Sequence, residues 1–412
     1  MDTLHPDCAG LDVHKDTVVA CVRHQPPRGR ARAEVRTFAS HTAGLLALAD
    51  WLAAEGVTHA AMESTGVYWK PVFHVLEGRC ELLLVNAQHL KQVPGRKTDR
   101  ADAAWIARLL QHGLLRPSFV PPVPVRELRD LTRQRAQLVG EKVRAGNRIQ
   151  KVLEDANVKL ASVASEVLCQ SGRAMLRALV GGETDPEKLA DLALGRLRGK
   201  LPALRQALAG RVTEHHRFLL RLLLDQVGHL EELIGRLEAR ITEVLAPFGE
   251  QARRLMTVPG ISRAVAEVVL AELGPDLQTF PSPGHLASWA GLCPANRQSA
   301  GKPRGGPGRK GNRWLRTALV QAAWAAGRSK RTYLAAQYRR LAARRGRKRA
   351  LVGVAHSLLH IAYHVLKEGR VYEELGGDYF DRRQGEQLTR HLVKRLESLG
   401  HRVTLEPVQK AG

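Results

Sequence analysis

Acidic residues are missing from residues 277–367, a stretch that carries 18 Lys and Arg. A solvated face of ordinary type would interleave both signs, so this absence points to a surface that gathers phosphates. The stretch accounts for most of the formal net charge of +24. Cysteine is scarce as well. The five thiols, at 8, 21, 80, 169 and 293, include no C-x-x-C pair, which excludes a disulfide framework and a structural zinc knuckle as organising devices. Long apolar runs are also lacking. Segments such as 82–85 and 219–224 fall far short of the roughly 18 residues that a membrane span requires. The first residues, Met1-Asp-Thr-Leu-His-Pro-Asp7, are acidic and lack the basic-then-apolar order of a signal peptide, so a cytoplasmic protein without a membrane partner is expected.

What is present is enough apolar material for real cores, 44% of 412 residues. A chain of this length should hold two or three domains. Its first 120 or so residues alternate in the manner of an α/β domain, in the order β-β-β-α-β-α-β-α. Three consecutive strands followed by strand-helix alternation is the arrangement expected of a ribonuclease H-like sheet, although other mixed folds share the pattern. Prolines 117, 121, 122 and 124 then make a stiff linker.

Beyond the linker the period changes. Leu128, Leu131, Leu138, Ile149 and Val152 predict one long helix. Leu230, Leu233, Leu237, Ile241, Val244 and Phe248 recur at alternating threes and fours, as in a coiled-coil seam, and a helical insertion is expected between the two. These helices would join protomers or act as a spacer, or simply pack on their own domain. The expected divisions are 1–122, 125–250, a mainly α-helical C-terminal domain over 251–375, and a weakly structured tail over 376–412. Pro259-Gly260, entering an Ala/Val/Leu-rich helix, has the form of a helix-hairpin-helix turn or of an ordinary structural one. Tyr333 and Tyr338, inside the basic stretch 328–349, suit either base stacking or helix packing.

Four acids carry the chemical signal. Asp12 interrupts an apolar strand, where an unpaired charge costs several kcal/mol and calls for a cation. Glu63 ends the strand expected over 58–62. Asp99 and Asp102 lie three apart at a helix start, on one face and at the positive end of the helix dipole. Convergent carboxylates of this kind suit Mg²⁺ and two-metal phosphoryl transfer.

The segments Gly10-Leu-Asp-Val-His-Lys15, Met62-Glu-Ser-Thr-Gly-Val-Tyr-Trp69 and Lys97-Thr-Asp-Arg-Ala-Asp-Ala103 resemble, in order and spacing, the DEDD-type insertion-sequence transposases related to the Piv DNA invertases. Pro259-Gly-Ile261, Gly291-Leu-Cys-Pro294, Ser299-Ala-Gly-Lys302 and Lys310-Gly-Asn-Arg-Trp-Leu-Arg316 resemble that family's second half. The resemblance implies a RuvC-like nuclease domain, a coiled coil and a transposase domain. It implies Asp12, Glu63, Asp99 and Asp102 as the Mg²⁺-binding catalytic tetrad and Ser299 as nucleophile. It also implies donor and target DNA as partners, a structured guide RNA from the element itself, and a homo-oligomer, dimer or tetramer. Around Ser299 the cations Arg297, Lys302, Arg304, Arg309, Lys310, Arg313 and Arg316 are the expected nucleic-acid contacts. A site-specific invertase, a junction resolvase that cuts by water attack, and a non-catalytic nucleic-acid-binding protein remain as alternatives.

Overall fold

The structure is a computed structural model of the chain. It describes residues 3–26, 29–64, 66–86, 99–293, 297–299, 302–304, 311–383 and 385–405; the side chains of 99–101, 297–299, 302–304 and 386–388 lie outside that description. The chain divides into two compact units, 1–120 and 121–412.

The first unit is built on a mixed sheet of β1 (Asp7–Val13), β2 (Thr17–His24), β3 (Arg32–Ala39), β4 (His59–Glu63) and β5 (Glu81–Val85). Their order is β3-β2-β1-β4-β5. The β1-β2 and β2-β3 pairs are antiparallel, while β1-β4 and β4-β5 are parallel. Both faces of β1, β2 and β4 are covered, which explains why these strands carry apolar residues at odd and even positions alike, whereas the edge strand β3 is largely exposed. On one face Ala9, Leu11 and Val22 pack against Leu48 and Trp51 of α1 (Thr42–Ala54) and Phe73 of α2 (Trp69–Leu76). On the other, Cys8, Ala61 and Val85 meet Ile106, Leu109 and Leu110 of α3 (Asp99–Gln111). Burial pushes the Cys8 thiol up to about 12 and raises that of Cys21, which leaves both as inert core residues.

Gly10 fixes where α3 crosses the sheet. A Cβ there would lie 2.2 Å from the Ala103 carbonyl oxygen and 2.3 Å from the Ala107 nitrogen, so only glycine lets helix and strand touch backbone to backbone. The contacts run in reverse order along the two elements. Leu4 and His5 N–H groups donate to the Gln111 carbonyl, the Cys8 thiol donates to that of Ala107, and Gly10 reaches Ala103. The N-terminus of α3 therefore lies at the C-terminal end of β1. Gly10→Ala is expected to cost the first unit about 3 kcal/mol, the upper end of ordinary overpacking, visible as a lowered melting transition. An unchanged transition would contradict this packing.

In the second unit α4 (Val123–Asp155) and α9 (Glu214–Leu245) form an antiparallel pair. His216 Nε2 lies 2.9 Å from Asp155 Oδ2 at one end, and Lys142 Nζ lies 3.1 Å from Glu231 Oε1 further along. The expected insertion is α5 (Leu160–Val163), α6 (Gln170–Val180), α7 (Pro186–Asp191), a 3₁₀ turn (Gly195–Lys200) and α8 (Leu201–Leu208). Its Met175, Leu179, Leu189 and Leu204 share one core with Ile149 and Leu153 of α4 and Leu220 and Val227 of α9. Within the seam read from sequence, Leu230 and Ile241 are buried, while Leu233, Leu237 and Val244 are only half-buried.

The remainder is helical apart from one short ribbon. It comprises α10 (Gly249–Met256), α11 (Arg263–Leu273), α12 (Pro283–Trp289), β6 (Arg297–Ser299), β7 (Lys302–Arg304), α13 (Arg313–Ala326), α14 (Tyr333–Arg345) and α15 (Arg347–Glu368). α15 is long and apolar enough to cross a membrane by length and composition, but 56% of its apolar window is buried within the unit. It is the central core helix here, with Val354, Leu358, Leu359 and Tyr363 buried. The tail departs from expectation by forming α16 (Tyr379–Arg383) and α17 (Gly385–Ser398). Tyr379 and Phe380 of α16 pack on the ring of Tyr333 at 5.1 and 5.2 Å between centroids, a tertiary contact that the tail's own composition does not announce.

Candidate active site and nucleic-acid interface

In the first unit, the register of the parallel β1-β4 pair aligns Leu11 with Met62. One residue further along stand Asp12 and Glu63, at the C-terminal ends of neighbouring strands about 4.8 Å apart. Because side chains alternate, Asp12 shares the face of Gly10 and Glu63 that of Ala61, and both of those residues face α3. Asp102 precedes Ala103, the residue against Gly10, and lies one turn before Ile106, which packs with Ala61 and Val85. It is half-buried. Three of the four expected acids thus come to one end of the sheet, beneath the N-terminus of α3. The side chain of Asp99, in the same helical turn, is outside the described residues.

Like charges on neighbouring strands repel each other, and a divalent cation held by both would relieve that repulsion. The Asp12 side chain is only 17% exposed, and His14 Nε2 donates to its Oδ2 at 3.1 Å. His14 lies inside the Gly10-Leu-Asp-Val-His-Lys15 segment, yet no role follows for it from the sequence reading. Its spacing of two residues from a strand carboxylate was the available signal. Among the described residues, no group of three or more His, Cys, Asp or Glu side chains is drawn together as a metal cage. The donor set nevertheless consists of hard oxygens with a helix N-terminus beside them, which fits Mg²⁺ better than a softer metal.

In the second unit, β6 and β7 form an antiparallel ribbon in which Ser299 is opposite Lys302 and Arg297 is opposite Arg304. Ser299 is the last residue of β6 and Lys302, the first of β7, is its cross-strand neighbour. Arg309 and Lys310 fall outside the described residues. Arg313 is exposed, with its guanidinium 4.3 Å above the Trp314 ring, and Arg316 is half-buried on α13. Residues 343–349, where α14 turns into α15, are all exposed and include Arg344, Arg345, Arg347, Lys348 and Arg349.

Tyr333 is enclosed by Tyr379 and Phe380, burial raises its hydroxyl above the usual tyrosine range, and the ring of Tyr338 closes on Gly327. Both tyrosines serve helix packing. Gly260, at φ +92°, would place a Cβ 2.4 Å from the Ala322 carbonyl oxygen. The Pro259-Gly260 turn is therefore committed to close packing on α13.

A charged network that the sequence reading missed lies beside this turn. Glu272 of α11 is fully buried and accepts from Arg133 Nε and Nη2 of α4 at 2.7 and 2.8 Å. Asn312 Nδ2 donates at 2.6 Å to Oε2, the same oxygen that accepts from Arg133 Nη2. Arg129 donates to the carbonyls of Ala271 and Glu272 at 2.9 and 2.8 Å; burial lowers its pKa and the Glu272 charge works against that shift. Glu267, one turn earlier, is held by Arg135 and by Arg263. The detectable signal was an acid inside the apolar run Val268-Val-Leu-Ala-Glu-Leu273, the same signal that singled out Asp12.

Residues 9–158 match the family model of IS110-type DEDD transposases, described as a transposase, and residues 252–339 match that of the transposase IS116/IS110/IS902 family. An IS110 insertion-element protein of Streptomyces coelicolor is 29% identical over 303 residues, covering 68% of this chain and 73% of its own. The pilin gene-inverting protein of Moraxella bovis is 22% identical over 382 residues, covering 89% and 97%. The transposase of the IS1328 element of Yersinia enterocolitica is 27% identical over 269 residues, covering 64% and 69%. A RuvC structure from Thermus thermophilus aligns with 27% of this chain and 99% of its own at 13% identity, with a TM-score of 0.22. With the two family matches lying in order on one chain and relatives spanning both, the chain belongs to the IS116/IS110/IS902 family of transposases.

Proposed function

We propose that this transposase cleaves and rejoins DNA strands with a Mg²⁺-dependent acid set, Asp12, Glu63, Asp99 and Asp102, and a serine nucleophile, Ser299. The observation that carries the acid half is the shared row of Asp12 and Glu63 beneath the N-terminus of α3. The strand order β3-β2-β1-β4-β5 supports a ribonuclease H-like, RuvC-like domain as its frame. Mg²⁺, when bound by these carboxylates, supplies positive charge against the phosphoryl oxygens.

The remaining work falls to the chain's own residues. His14 steadies the Asp12 carboxylate. Arg297 and Arg304 occupy paired positions in the register of the ribbon, and two cationic residue types at paired positions favour an anion as partner. A DNA phosphate is such an anion, and Lys302, Arg309, Lys310, Arg313 and Arg316 extend the cationic surface. Ser299 Oγ attacks phosphorus as the bond to one deoxyribose oxygen breaks, and the serine proton ends on that leaving oxygen. The phosphoserine link conserves the phosphodiester, so a new strand hydroxyl can displace the serine and restore its proton. No nucleotide cofactor is required.

The acids and the serine belong to separately folded units, so the proposal includes a homo-oligomer, dimer or tetramer, that presents both to DNA. A structured guide RNA accounts for target choice, and the exposed cations of 343–349 offer it sequence-independent affinity. Site-specific inversion is the second reading, favoured by the pilin gene-inverting relatives that this chain matches over 97% of their length. Full-length protein, purified with any RNA it retains, should nick element-end DNA in proportion to added Mg²⁺ and stop in EDTA. Cleavage at full rate in EDTA would sink the metal reading. Recovery of no discrete RNA would sink the guided one.

A further inference from the structure

Ser299 lies on a segment whose two ends are pinned together. Gly291, just after α12, and Gly311, just before α13, approach so closely that a Cβ on Gly311 would stand 2.3 Å from the Gly291 nitrogen and 2.4 Å from the Ala290 carbonyl carbon. The next residue, Asn312, has two duties. Its Oδ1 accepts from the Trp314 and Leu315 N–H groups at 3.0 Å each and so caps α13, while its Nδ2 donates to the buried carboxylate of Glu272. That carboxylate is in turn gripped by Arg133, in the first third of the 33-residue helix α4. A buried carboxylate held by a bidentate arginine, with an amide on one of the same two oxygens, has little freedom to rotate.

We infer that Glu272 and Asn312 are positioning residues of the strand-exchange reaction: they tie to α4 the start of α13, where the 291–311 segment that carries Ser299 ends, and so limit where Ser299 is presented. The inference rests on Ser299 as nucleophile only for its catalytic consequence. The clamp itself is a matter of the described residues. Capping alone can be met by any short oxygen-bearing side chain at 312, whereas the bond to Glu272 needs a donor that reaches it. An acid at 272 also serves as counter-charge to Arg133 and Arg129, so its simple removal would leave two half-buried cations poorly compensated. These requirements separate folding from positioning.

The test uses full-length protein with Asn312→Ser, which retains the cap and loses the reach, and with the exchanged pair Glu272→Gln/Asn312→Asp, which restores a donor-acceptor bond in the opposite sense. Asn312→Ser is expected to bind element-end DNA within twofold of the unaltered protein, to form the covalent protein-DNA adduct at least tenfold more slowly, and to exchange the amide hydrogens of 297–304 faster in the absence of DNA. The exchanged pair is expected to recover slow exchange and most of the adduct rate. Adduct formation by Asn312→Ser within twofold of the unaltered rate, with unchanged amide exchange, would overturn the clamp. If Ser299→Ala leaves the adduct intact, the nucleophile assignment fails separately, and amide exchange alone then decides the clamp: faster exchange in Asn312→Ser supports it and equal exchange overturns it.

Discussion

Asp12→Asn is expected to lower strand cleavage by about a thousandfold, equivalent to about 4 kcal/mol of lost transition-state stabilisation. The substitution keeps the shape of the side chain and its place in β1, and it removes one negative charge from a row that also holds Glu63. Loss of that charge weakens the hold on a divalent cation and with it the charge set against the phosphate. The same change relieves repulsion between like charges on neighbouring strands. Stability and activity should therefore move in opposite directions. The melting transition of Asp12→Asn, measured without divalent metal, should hold or rise while cleavage collapses. Added Mg²⁺ should raise the transition of the unaltered protein more than that of the variant. Undiminished Mg²⁺-dependent cleavage by the variant would remove Asp12 from the catalytic set.

That opposition of signs also explains what could be read in the residue string and what could not. Strand and helix order in the first unit follows from local alternation, and Asp12 is conspicuous because an acid interrupts an apolar strand. Its adjacency to Glu63 is a different kind of fact. It depends on a parallel register between residues 51 positions apart, and no local period encodes that. The positions of the two long helices likewise follow from their own spacing. Their antiparallel union depends on pairs such as His216 with Asp155, and on an insertion whose apolar residues complete one shared core.

Glu272 was legible in principle, since it too is an acid in an apolar run, but its partners come from α4 and from Asn312, at 139 and 40 residues' remove. Composition misleads for the tail. Its charges suggest weak structure, whereas Tyr379 and Phe380 fold back on Tyr333 and tie α16 to α14.

Ser299→Ala is expected to abolish the covalent adduct and to reduce strand exchange by about ten-thousandfold or more, the scale on which removing a nucleophile acts when the rest of a site is left intact. DNA affinity should change by less than twofold, because the sequence-independent hold comes from cations and not from one hydroxyl. Denaturing electrophoresis of labelled DNA after quenching reads the adduct directly. A water-attack nuclease on the same acid frame would behave otherwise: the unaltered protein would form no adduct, and Ser299→Ala would still nick. The two mechanisms also differ in what they leave behind. Hydrolysis gives ends that need an energy source to rejoin, whereas a phosphoserine link keeps the bond energy for religation. The decisive pair of results is thus an adduct in the unaltered protein and its loss in Ser299→Ala, with Asp12→Asn losing adduct and cleavage together. An adduct that survives Ser299→Ala would assign the nucleophile to another residue and leave Ser299 as a phosphate-contacting hydroxyl at the end of β6.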